Sequence, residues 1–158
     1  GSKVTVVDTK KTRGTNYSIL SSGESIISGH LIQLGDWRDD HVSVAETMLH
    51  TPYLWGGNTG FGADCSGMIW LGFLLCGKIM LRDSDMMAAT IGHEIDIDPM
   101  RLQRGDLVFW KGHVGVMKDA TMLLHSNGHT MAVAEEPLND AIERIGYLYG
   151  QPTLMRRP

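Results

Sequence analysis

Cys65, His113 and His125 are the residues of this chain whose types and spacing could do nucleophilic chemistry. A thiol attacks as thiolate. Cys65 stands where a Gly-rich stretch gives way to a continuous apolar run, so it opens an expected helix, where free N–H groups and the positive end of the helix dipole favour the thiolate. A Cys before an apolar helix can also be a packing residue, but Asp64, Ser66 and Gly67 are polar or small where a merely structural helix would take apolar residues. Asp64 has a second reading as the helix N-cap. The base that the thiol needs is His113, which follows Trp110-Lys111-Gly112, and His125 lies twelve residues on. With Lys118 to Ala120 as a three-residue hairpin loop, 117 faces 121 and 113 faces 125. Both imidazoles then share one face of the sheet, expected on the side of the Cys65 sulfur. One acts on the thiol and the other fixes its tautomer and orientation. His30, His41, His50, His93 and His129 have no comparable arrangement and read as surface or satisfied residues.

Positioning these groups takes a helix and a sheet. A helix is expected from about Asp40, capped by Asp39 or Asp40, with Val42, Ala45, Met48 and Leu49 on one face, ending before Pro52. The Gly-rich loop Tyr53 to Gly62 leads to the Cys65 helix, which is apolar on every side from Met68 to Leu75 and closes at Gly77; such a helix is buried. A shorter helix is expected from Ser84 to Gly92. Strands follow at Leu107–Trp110, His113–Met117, Met122–Ser126, Thr130–Glu135 and Tyr147–Tyr149. Helices first and an antiparallel sheet second make an α+β domain over residues 37–158. Residues 1–36 read as short strands and turns, with Lys3 to Val7 and Ser25 to Leu34 either side of Ser21-Ser22-Gly23, too short to close a core.

The 158 residues carry 14 basic against 18 acidic side chains, a formal charge of -4. Scattered basic residues disfavour nucleic acid as a partner, and Arg156-Arg157 reads as a solvated tail. The longest apolar run, Met68 to Cys76, falls well short of the roughly 18 residues a membrane span needs. Gly1-Ser2 looks like the scar of tag cleavage, which leaves room for a native leader or an upstream domain. The compartment is therefore open between cytoplasm and cell envelope. If Cys65 to Cys76 is one helix, the two thiols are about 16 Å apart along its axis, beyond disulfide reach, so both are free.

Five segments together resemble the successive motifs of the NlpC/p60 family of bacterial cell-wall cysteine peptidases: Pro52-Tyr53-Leu54-Trp55-Gly56-Gly57, Asp64-Cys65-Ser66-Gly67, Arg104 to Trp110, Gly112 to Met117, and Leu124-His125-Ser126. The resemblance spans roughly residues 40 to 150. It implies a papain-like fold, with a buried helix carrying the Cys packed on an antiparallel sheet carrying both His, and no cofactor or metal. It further implies cleavage of the amide between γ-D-glutamate and a diamino acid in peptidoglycan stem peptides, through a thioester. Carried over, Cys65 is the nucleophile, His113 the base, His125 the orienting residue and Tyr53 a hydroxyl beside the oxyanion. Asp64 with Ser66 contacts the substrate amine, and Trp55 borders the substrate-binding loop. A buried Asp64 needs a cation, which a substrate amine would supply, so a free amino terminus is expected. The thiol is expected to have a depressed pKa. Met87 departs from the family pattern, standing where a polar residue is usual. Residues 1–36 resemble the end of a bacterial SH3-like module by strand pattern alone. Two other classes use the same Cys/His set: a structural Zn site, for which no Cys-x-x-Cys is present, and a non-catalytic wall-binding module, which has no need of a thiol beside an imidazole.

Overall fold

Arg13 and Gly14 both take positive φ, 50° and 82°, and this two-residue turn sets β1 (Val6–Thr12) antiparallel to β2 (Thr15–Leu20). β3 (Ser25–Ile27) adds to β2. The first strand thus begins at Val6 rather than Lys3. In this computed structural model, which describes residues 1–158, the meander belongs to one unit, residues 1–37; residues 38–158 form a second.

The second unit opens with α1 (His41–Glu46), capped by Asp40, whose carboxylate accepts from the Val42 N–H at 2.9 Å. A tight pair, β4 (Asn58–Thr59) and β5 (Gly62–Ala63), precedes α2 (Cys65–Leu75). α3 (Ser84–Thr90) follows. Met87 on α3 is fully buried in the core beside α2, which is why an apolar residue suits that position. The remaining strands are β6 (His93–Ile95), β7 (Leu107–Trp110), β8 (His113–Met117), β9 (Met122–Asn127) and β10 (Ala132–Pro137). Then come α4 (Leu138–Tyr149) and β11 (Leu154–Arg157). The six long-range strands form one antiparallel sheet in the order β10-β9-β8-β7-β11-β6.

Alternation along the strands divides the core in two. Leu107, Phe109, Val114, Val116, Leu124 and Val133 meet Met68, Ile69 and Phe73 of α2, while Val108, Trp110, Met117, Leu123 and Met155 meet Leu138, Ala141 and Ile145 of α4. No helix is long and apolar enough to cross a membrane.

Three sequence expectations are corrected here. Tyr147 to Tyr149 is not a strand but the exposed last turn of α4; Leu138, Ala141, Ile142 and Ile145 recur at helical spacing and face the sheet. Arg156-Arg157 is not a solvated tail but part of β11, between β7 and β6, and Arg157 donates twice at 2.7 Å to the buried Asp106. The β8–β9 hairpin pairs 116 with 124 and 117 with 123, rather than 117 with 121. Asp119 sets this register by accepting from the N–H groups of Thr121 and Met122. The shift is even, so every side chain keeps its face.

Candidate active site

The first turn of α2 is built around Asp64. Its Oδ1 accepts the Gly67 N–H at 2.7 Å as N-cap, and its Oδ2 accepts the Gly56 N–H at 2.8 Å, tying the preceding loop to the helix. Arg82, from the segment before α3, lies 3.0 Å from this carboxylate, donates to the Ser66 hydroxyl at 2.7 Å and to the Gly57 carbonyl at 3.0 Å. Ser66 in turn donates to Asp64 at 3.3 Å. Burial works to raise the Asp64 pKa, but Arg82 and the two N–H donors hold it below its usual value. Arg82 is the cation that sequence reasoning left to the substrate: Asp64 needs no ligand amine to justify its burial.

Glycine is required where this turn meets the loop. A Cβ on Gly67 would lie 2.1 Å from the Gly57 carbonyl oxygen, a backbone atom with nowhere to go.

Cys65 is the first residue of α2, and the backbone N–H groups of Val114, Ser66 and Cys65 itself favour its thiolate. Val114 lies beyond the end of the β8–β9 ladder, whose last pair on this side is Val116–Leu124. His113, the residue before Val114, points its Nε2 to Nδ1 of His125 at 2.8 Å, and Nε2 of His125 lies 2.8 Å from a carboxylate oxygen of Glu136. Arg144 of α4 clamps the same carboxylate.

The faces differ from expectation. His113 pairs with Trp110 and His125 with Ala134, and both imidazoles stand on the α4 side of the sheet, opposite the side on which α2 packs. Strict alternation forces this, because their neighbours Val114, Leu124 and Ser126 face α2. Cys65 and Val114, the residue next to His113, share the core cluster on the α2 side.

Burial, the largest influence on each, pushes the Cys65 thiol up and His113 down, the latter to about 3, with the nearby His125 and Arg144 adding to the effect on His113. The expectation of a depressed thiol pKa is therefore reversed: Cys65 is only 8% exposed, and desolvation outweighs its N–H donors. Burial thus favours the uncharged form of each group, the thiol and the neutral imidazole. Burial, then the nearby Cys65 and Asp64, raise the Tyr53 phenol, keeping it a donor at neutral pH. Trp55 is 88% exposed on the loop. Both ring nitrogens of His125 are engaged, one by His113 and one by Glu136. Cys65 and Cys76 are free thiols.

Sequence reasoning missed Arg82, Glu136 and Arg144. Arg82 was visible as the cation beside Asp83 and Asp85, and Glu136 and Arg144 become meaningful only once residues 138–149 are seen as a helix.

Residues 50–145 match the NlpC/P60 family, and the chain belongs to that family of papain-like cysteine peptidase domains. It is 37% identical over 101 residues to "Dipeptidyl-peptidase 6" of Lysinibacillus sphaericus, covering 64% of this chain and 36% of that protein. It is 36% identical over 96 residues to "Gamma-D-glutamyl-L-lysine dipeptidyl-peptidase" of Bacillus subtilis, covering 56% of this chain and 31% of the relative. An NlpC/P60 family protein from Bacillus cereus superposes with a TM-score of 0.75 at 25% identity, over 99% of this chain and 53% of that one. The chain spans about a third of the length of these curated relatives.

Proposed function

We propose that this chain is a thiol peptidase that hydrolyses the amide between γ-D-glutamate and the diamino acid of peptidoglycan stem peptides. The observation that carries the reading is the 2.8 Å bond between the rings of His113 and His125, with Val114, the residue after His113, packed in the same core cluster as Cys65. Peptidase names among the relatives, one of them a γ-D-glutamyl-L-lysine dipeptidyl-peptidase, support the substrate class.

In this mechanism the neutral His113 takes the Cys65 proton as the sulfur attacks the γ-glutamyl carbonyl. The Cys65 backbone N–H and the Tyr53 hydroxyl stabilise the oxyanion. His113 then gives its proton to the departing amine, leaving a thioester; water, deprotonated by His113, releases the γ-glutamyl acid. Asp64, Ser66 and Trp55 shape the site rather than react. Residues 1–36 belong to this reading only as the proposed end of an SH3-like module.

Mass spectrometry of products from a panel of stem peptides, free and N-acetylated, tests the reading. The expected products of L-Ala-γ-D-Glu-diamino acid are the dipeptide and the diamino acid. Because Arg82 already neutralises Asp64, this carboxylate should not make a free amine obligatory. Cleavage at the L-Ala–D-Glu bond alone, or at no bond of any stem peptide, would refute the assignment.

A further inference from the structure

Glu136 lies on β10 opposite Leu123, and its side chain is 23% exposed, whereas His125, which it contacts, is fully buried. An ionised carboxylate has no proton to give. At their 2.8 Å contact, therefore, Nε2 of His125 carries the hydrogen and donates it to Glu136. If that is the only hydrogen on His125, its Nδ1 is bare and can only accept, so at the second 2.8 Å contact Nε2 of His113 carries the hydrogen. That leaves Nδ1 of His113 without a proton. Arg144 clamps Glu136 from α4, and although burial works to raise the Glu136 pKa, the bonds from His125 and Arg144 hold it at about 2, so it is ionised at working pH.

We propose that Glu136, held by Arg144, is a positioning residue that fixes the ring protons of His125 and His113, leaving Nδ1 of His113 as the bare base for Cys65. The proposal rests on the thiol-peptidase reading for its consequence in turnover, but not for its proton positions. No bond is made or broken by Glu136. It selects one of two tautomers at each ring, much as an acidic residue orients the imidazole in other hydrolases. A chain of this kind differs from a hydrogen bond that merely holds β10 to β9, because it predicts where two protons sit.

Long-range proton–nitrogen NMR spectra of the full chain at neutral pH read those protons directly. The wild-type protein should show His113 and His125 both as the Nε2–H tautomer. Glu136→Ala should let the Nδ1–H tautomer appear at both rings and lower kcat by about 100-fold, with KM within about twofold. Glu136→Gln, whose amide oxygen can accept in the same place, should keep the wild-type tautomers and lose no more than about tenfold. A proton on Nδ1 of His113 in the wild-type protein would overturn the proposal, as would Glu136→Ala with wild-type spectra and kcat. If Glu136→Ala does not fold, the wild-type and Glu136→Gln spectra decide. Cys65→Ala separates the two layers: it should keep both tautomers while abolishing turnover, so the spectra judge Glu136 even if the peptide proves not to be the substrate.

Discussion

Cys65 gains three N–H donors from the start of α2 and from Val114, yet its burial opposes ionisation more strongly than they favour it. Together with His113, held down to about 3, the pair keeps a single proton across a wide pH range. Two outcomes follow. The thiolate ultraviolet absorbance lost in Cys65→Ala should rise only in alkaline solution, and kcat/KM should show no break near the ordinary imidazole value of about 6.5. A thiolate already present at mildly acidic pH would contradict this. The linkage sign is also fixed. Because the folded His113 resists the proton that the unfolded one accepts, stability should fall as pH drops from about 6.5 toward about 3, and His113→Asn should flatten that slope. The types and order of Cys65, His113 and His125 were readable from sequence because each has reactive chemistry and a suggestive flank. The partners that set their protonation were not, because Glu136 and Arg144 look like ordinary surface charges until the helix that joins them is known.

α2 and the hairpin β8–β9 carry the site, and both were visible in the sequence: an all-round apolar run must be buried, and alternating apolar residues either side of Asp119 make a hairpin. Their mutual facing was not visible. It depends on which strand face meets α2 and which meets α4, a matter of tertiary packing that local pattern does not encode. The junction between the α2 turn and the loop before it is equally tertiary. Gly67→Ala would force a methyl group against the Gly57 carbonyl, and neither backbone can yield without displacing Asp64 or Arg82. The substitution should cost about 2–3 kcal/mol, lowering Tm by about 5–10 °C, and calorimetry reads it. An unchanged Tm would mean that the loop moves freely over the helix.

β11 shows how the whole chain closes the sheet. Met155 is fully buried, and the strand fills the place between β7 and β6, so residues close to the end of the sequence complete a sheet begun some sixty residues earlier. Two consecutive arginines concealed this, since the reason for Arg157 is the buried Asp106, to which it gives its two shortest bonds. Arg157→Met should lower Tm by stranding that carboxylate, and adding Asp106→Asn should recover part of the loss, because removing both charges is less harmful than removing one. Simple additivity of the two substitutions would show that the pair is not coupled. The peptidase proposal itself turns on a covalent bond at Cys65. Rapid acid quenching of the protein with a γ-D-glutamyl-diamino acid peptide, followed by digestion and mass spectrometry, should find the γ-glutamyl acyl group on the peptide containing Cys65, and Cys65→Ala should show neither adduct nor turnover. Turnover that persists in Cys65→Ala would contradict the proposal.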